Sequence, residues 1–250
     1  MPPLLHGRRI AVLGSASGLG LAVAAACAAA GAEVLGIDAE ARFDHLAELY
    51  RADPTDPGAM DAVAAALPEG LDGLALFPAL PDGTPALQLT HALAAPRRLV
   101  DLLAPRMTRG ASIVVRGTAT APTRDASLGA IRAGASLRVT DTEGFAARWG
   151  LNTEPGRTPR LIGWAWHGWA LANAHSWPGI RINTVIPSTP DGRLTPSATA
   201  LAGLEATEGA AIAARATVFL LSDLSNGLTG ASLAADGGVS AQMQTRLEGL

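Results

Sequence analysis

Short runs of consecutive apolar residues alternate along this chain with longer helical patterns. RIAVL (9–13), AEVLGID (32–38), LDGLALF (71–77), ASIVVRG (111–117) and GIRINTVIP (179–187) read as strands, and the apolar part of TGASLAADGG (229–238) as a last one. Between them lie the alanine-rich stretch ending at Gly31, the segments 41–50 and 61–67, the long segment 86–107, and 207–221, all predicted helical. Pro96 is expected to kink the 86–107 helix. Thr140 and Glu143 have capping-box spacing ahead of a short helix through FAARW, and Thr158-Pro159 reads as the N-cap and first turn of another. ADPTDPG (52–58) is turn material, and 187–201 reads as a loop inside the α/β pattern. Fully apolar strands separated by helices imply a parallel sheet covered on both faces. The expectation is an α/β chain forming a single domain over 1–250, with a Rossmann-like doubly wound parallel sheet and a long insertion at 118–157.

Composition narrows the function classes. A net charge of −3 with 16% charged residues gives no cationic footprint, so neither nucleic acid nor an anionic membrane is expected as a partner. No apolar run is long enough to span a bilayer, and the first ten residues lack a basic stretch followed by an apolar one. A cytoplasmic protein is the expectation. All 19 basic residues are arginines, which removes every chemistry that needs a lysine amine. Cys27 is the only cysteine and reads as a small apolar helix residue. The five histidines show no ligand spacing, so no metal site is expected.

The strongest chemical signal follows the first strand. In GSASGLG, Gly14, Gly18 and Gly20 permit a tight turn, and the helix they open presents unpaired N–H groups to a phosphate. Asp38 ends the second strand, where a carboxylate accepts bonds from an adenosine ribose and repels a 2′-phosphate. The other reading of the glycines is a turn that lets a helix pack close to a sheet. The candidate cofactor residues read from this pattern are Gly14, Ser15, Ala16, Ser17, Gly18, Leu19 and Asp38, with NAD(H) the cofactor.

These motifs resemble the short-chain dehydrogenase/reductase family over nearly the full chain. GSASGLG, GIDA, ADPTD, GIRINTVIP, TGASLAADGG and VSAQM look most like the branch holding bacterial 3α-hydroxysteroid dehydrogenase/carbonyl reductase, as does the insertion before residue 158. The resemblance implies an adenine contact at Asp53, with Pro54 beside it as a further candidate cofactor residue, hydride transfer, and a homodimer or higher homo-oligomer. It also implies a serine, a tyrosine, and a lysine four residues after the tyrosine. Here it breaks. The only tyrosine is Tyr50, far upstream, and no lysine exists. Arg160 falls near the tyrosine slot, Trp164 near the lysine slot, and Arg116 and Gly117 near the serine slot, with Thr118 the nearest hydroxyl. His91 or Ala92 replaces an asparagine, Phe77-Pro78-Ala79 replaces the turn facing the nicotinamide, and Ser188 follows Pro187 where the family has glycine.

Into this rewritten region the chain puts Trp164, Trp166, His167 and Trp169. Two helical stripes follow: Ile162, Trp166, Trp169, Asn173 and Arg160, Trp164, His167, Leu171. The indoles are expected to line a flat apolar pocket, fill a subunit interface, or simply pack. His167 is the candidate proton carrier, Arg160 the candidate anchor for an anionic substrate, and Thr118 a candidate ligand contact. Two function classes stay open. One is an atypical enzyme acting on a small cyclic or aromatic organic molecule, by hydride transfer or a non-redox reaction. The other is a non-catalytic ligand-binding or partner-stabilising relative.

Overall fold

In a computed structural model, residues 2–118, 124–153, 156–189, 205 and 208–248 are described, the backbone alone at 124–127, 243 and 246–248. Seven strands form one parallel sheet: β1 (Arg9–Leu13), β2 (Glu33–Asp38), β3 (Glu48–Arg51), β4 (Gly73–Leu76), β5 (Ser112–Arg116), β6 (Arg181–Pro187) and β7 (Ser232–Ala235). Their order is β3-β2-β1-β4-β5-β6-β7, so the winding reverses between β1 and β4. Alternate side chains feed opposite layers: Ile10 and Val12 go to one core, Ala11 and Leu13 to the other. The first core lies under α1 (Gly18–Ala29) and α8 (Glu208–Leu221), the second under α2 (Ala59–Ala66), α4 (Ala95–Leu103) and α7 (Arg157–Asn173). The doubly wound sheet expected from the apolar runs is the observed fold.

Local differences have local causes. Segment 41–50 is not a helix. Arg42 folds onto Asp44 at 2.7 Å, His45 takes a left-handed φ of 67°, and Glu48–Arg51 then pair with β2 as an edge strand. Thr140 does not cap: its hydroxyl donates to Asp141, the residue before α6 (Thr142–Arg148). Gly156, at φ 76°, rather than Thr158, precedes α7, and Thr158 lies buried in the first turn. The predicted loop 187–201 lies outside the described residues from 190 onward, as do 119–123 and 154–155 of the predicted insertion.

The kink expected at Pro96 takes a definite form. α3 (Pro85–Leu89) widens into a π turn over Thr90–Ala94, with the Ala95 N–H donating to the Thr90 carbonyl, before α4 resumes. Proline has no N–H to give the carbonyl four residues back, which is Ala92. That carbonyl is instead satisfied by the indole N–H of Trp166 on α7, at 2.8 Å.

The tryptophans are core residues. Trp164, Trp166 and Trp169 are 6%, 2% and 3% exposed, and Trp166 and Trp169 meet edge to face at 5.3 Å. Their helix is overlaid by α5 (Arg124–Gly134), with Gly134 against Ala165 and Gly168 against Ile131. Trp166, bonded to Ala92, and Trp169, against Trp166 and Trp177, keep almost no exposed surface for a subunit contact, which corrects the expectation of an interface built on them.

Arginine closes several helix ends. Arg106 donates to the Ala64 and Leu67 carbonyls at the end of α2 (2.6 and 3.1 Å), and Arg181 to those of Leu220 and Ser222 after α8 (2.8 and 3.1 Å). Arg97 does the same for Ala135 beyond α5. The forked guanidinium suits paired carbonyl acceptors that a single ammonium serves less well.

Candidate functional site

The glycine turn is fixed by backbone contacts. Gly14 has φ 87°, and a Cβ there would lie 2.4 Å from the Phe77 carbonyl oxygen; one on Gly20 would lie 1.9 Å from that of Gly14. Gly18, at φ 51°, faces open space. Ser17 precedes α1 in extended conformation, its side chain makes no capping bond, and no acid sits in the first turn. The helix start therefore keeps donors for an outside acceptor. Ser15 and Ala16 turn inward. The Ser15 hydroxyl is buried without a hydrogen-bond partner, and the Ala16 N–H is spent on Asp38 at 3.0 Å.

Asp38 also accepts from the Glu40 N–H at 3.1 Å, which leaves lone pairs on both carboxylate oxygens for a ligand. It borders a cavity of about 160 Å³ with Gly14, Ser17, Glu40, Pro54 and His91. Asp53 stands behind this wall: it accepts from the Thr55 amide and hydroxyl at 2.8 and 2.7 Å and so shapes the turn that carries Pro54. Those bonds, with His91 nearby, hold its carboxyl below the ordinary value. His91 comes from the π turn. Burial pushes its pKa below the ordinary histidine value, against the pull of Asp53 and Asp38 and the Ala79 carbonyl, while Arg116 adds to the lowering. Arg42 approaches the same turn through the Ala16 carbonyl at 3.3 Å, but it is paired with Asp44 and does not line the cavity.

A second cavity, of about 200 Å³, continues past Ser17, Pro78 and Ala79, which border both. Gly18, Leu19 and Leu80 help line it, and Arg116 at the end of β5 is its one charged lining residue among those described. Phe77, 2% exposed, packs its side chain into the core beside α1.

The other candidates lie apart from both cavities. Thr118 packs onto α7, where a Cβ on Gly163 would come within 2.6 Å of its own Cβ. Arg160 is exposed in the first turn of α7. His167 faces the edge strand, its Nδ1 2.6 Å from the Ser232 hydroxyl. Neither they nor the tryptophans line the two cavities. Tyr50, on the edge strand β3, donates to Glu48 at 2.7 Å. His91 and Arg116 border the cavities yet were not candidate site residues; their signal in the sequence was that they stand near the family's asparagine and serine slots. A larger cavity, about 570 Å³, sits elsewhere, between α2, α4 and residues 137–140, beside the exposed Arg98–Asp61 pair. Among the described residues, no group of three His, Cys, Asp or Glu is placed to hold a metal, and no helix is long and apolar enough to cross a membrane.

No protein-family model and no curated protein sequence matches the chain. Solved structures do. A 3-alpha-hydroxysteroid dehydrogenase from Pseudomonas sp. B-0831, complexed with NADH, is 25% identical, with a TM-score of 0.75 over 95% of this chain and 99% of that one. A short chain dehydrogenase/reductase family protein is 24% identical (TM-score 0.68, 95% and 99% covered). A putative short chain dehydrogenase from Pseudomonas syringae is 20% identical (0.65, 94% and 97%). By this likeness the chain shares its fold with structures described as short-chain dehydrogenases/reductases.

Proposed function

We propose that the protein binds an adenine dinucleotide across the β1/β4 reversal, NAD(H) in preference to NADP(H), and works on a small organic ligand without the family's tyrosine–lysine pair. The observation that carries this reading is the pair of adjoining cavities around the uncapped start of α1, with Asp38 at one end. In open α/β sheets ligands bind where the winding reverses, beyond the carboxyl ends of the strands. Gly18 leaves room for a pyrophosphate to approach the helix N–H groups. Asp38 and Glu40 line the ribose side while Arg42 is withdrawn into an ion pair, which disfavours a 2′-phosphate. Gly14, Ser17, Gly18, Leu19, Asp38 and Pro54 are assigned to contact, and Ser15, Ala16 and Asp53 to holding the wall.

When bound, the dinucleotide supplies a hydride donor or acceptor at its nicotinamide. The chain's own part is to anchor the adenosine half and the pyrophosphate. Among the described residues, the acid–base groups that line the cavities are His91 and the carboxylates of Asp38 and Glu40. His167, Thr118 and Arg160 serve catalysis only if the ligand reaches α7. The second reading, a binding protein that has lost the reaction, is favoured by the Trp166 and Trp169 side chains being consumed in the core and by His167 being tied to Ser232. Assembly as a homodimer or higher homo-oligomer, and action on a cyclic or aromatic substrate, remain part of the proposal by likeness to the superfamily.

Calorimetric titration with NAD⁺, NADH, NADP⁺ and adenosine tests the site. Expected are binding of adenosine and of NAD(H), weaker binding of NADP⁺, and at least a tenfold loss in Asp38→Ala. Failure of every adenine ligand to bind would sink the reading. A turnover screen of NADH oxidation with ketones separates the enzyme from the binding protein.

A further inference from the structure

We propose that the cavity of about 570 Å³ between α2 and α4 binds a free α-amino acid with an apolar side chain, held as its zwitterion between Arg97 and Asp101. Its volume falls within the range of about 300–1,000 Å³ that small-molecule sites occupy. Among the described residues Pro54 alone borders both this cavity and the one beside Asp38. A ligand here therefore needs nothing from the nucleotide site.

The charges on the wall are of two kinds. Arg98 is closed onto Asp61 at 2.6 Å, and Arg138 onto Asp141 at 2.9 Å. Arg97 and Asp101 are not closed in this way. They stand four residues apart on α4, where side chains are neighbours with Cβ atoms about 5–6 Å apart. The two attract each other, yet no ion pair joins them. Arg97 gives an N–H to the Ala135 carbonyl, and Asp101 accepts no side-chain hydrogen bond among the described residues. Burial pushes the Asp101 carboxyl up, against the pull of Arg97 and Arg98, and pushes the Arg97 guanidinium down, against the pull of Asp101. Each charge has lost water without gaining a contact partner, so each is stabilised by an opposite charge brought against it.

A cation alone would meet Asp101 and be repelled by Arg97, and an anion alone would meet the reverse. A zwitterion answers both. Its carboxylate takes the remaining N–H groups of Arg97, and its ammonium donates to Asp101. The side chain has its own wall: Met60 and Leu137 are buried and Val139 is 37% exposed, all lining the same space. The thioether of Met60 also suits the edge of an aromatic ring. Asp56, exposed in the turn before α2, is the one further charged residue of the lining.

The test is calorimetric titration of the full chain with L-phenylalanine, with hydrocinnamate, which lacks the ammonium, and with phenethylamine, which lacks the carboxylate. L-Phenylalanine should bind at least about tenfold more tightly than either analogue, and saturating adenosine should leave its affinity unchanged. Asp101→Asn keeps the shape, removes the charge, and should abolish the preference over hydrocinnamate. Val139→Trp fills the cavity from its exposed edge and should abolish binding altogether, which keeps the test open if the aspartate variant does not fold. The proposal is overturned if L-phenylalanine does not bind at millimolar concentration, or if either analogue matches it in wild type. Affinities unchanged in the folded variants overturn it equally. Displacement by adenosine would put the amino acid in the nucleotide cavity and overturn it too.

Discussion

The two adjoining cavities have walls of different kinds. Around Asp38 the wall is backbone: the Gly14 turn against the Phe77 carbonyl, the Ala16 N–H on the carboxylate, the Thr55 amide on Asp53. Around Arg116 it is side chains on a frame that the sheet holds regardless of what they are. Changing residues in the first wall changes the fold. Changing them in the second changes chemistry alone. A chain under selection for stability keeps the first and is free to rewrite the second.

The sharpest way to break this contrast is by adding methyl groups. Gly20→Ala sets a Cβ 1.9 Å from the Gly14 carbonyl oxygen, and neither backbone can give way. A loss of about 3 kcal/mol or more in urea unfolding is expected. Gly18→Ala meets nothing within 4 Å and pays only for its left-handed φ, about 1 kcal/mol. Equal losses in the two variants would contradict a wall made of backbone.

Next in size is the bolt between the π turn and α7. Trp166→Phe keeps most of the apolar volume and strands the Ala92 carbonyl, at a cost of about 1–3 kcal/mol. Pro96→Ala restores an N–H four residues ahead of that carbonyl. In the double variant the tryptophan loss should fall by at least half, and additivity in the cycle would show that the indole bond does not answer the proline.

A smaller effect is set by pH. The native pKa of His91 is lowered, so the unfolded chain takes its proton first as pH falls. Its contribution to stability is complete above the unfolded value of about 6.5 and declines below it, until pH reaches the native pKa. Asp53, also lowered, adds a separate loss further into acid, as pH falls through its native value. His91→Gln should flatten the first decline and leave the second, as read from melting temperatures between pH 7 and 4. The smallest effect is on Cys27, fully buried in α1 with its thiol pushed up to about 12 by burial. A thiol reagent at pH 8 should leave the native protein untouched and label it only in denaturant.

The same difference explains what could be read in advance. Apolar runs and the Gly14–Gly20 spacing act on backbone geometry directly, so the doubly wound sheet and the turn were legible. Residues 41–50 misled because a helix-compatible composition was overridden by the His45 turn and the open edge of β2. The aromatic cluster misled for another reason. Whether Trp166 faces a ligand or a neighbour depends on where the π turn carries Ala92, and nothing in a seventeen-residue helix records what is packed against it. Arg116 stood in plain view at a strand end, yet only the fold sets it beside a cavity.

The guanidiniums that close the helix ends have a consequence for the proton inventory of the whole molecule. No lysine titrates, and the two remaining alkaline groups, Cys27 and Tyr50, are both raised to about 12, the first by burial and the second by burial and its bond to Glu48. In the folded chain these two groups stay silent as pH passes 9 and 10. Unfolding ends that silence, because thiol and phenol return to their ordinary values near 9 and 10 and discharge. Both raised groups hold their full stabilising contribution below those values and lose it as pH climbs toward 12. Across that range the thiol and the phenol hold their protons while the chain is folded and release them when it opens.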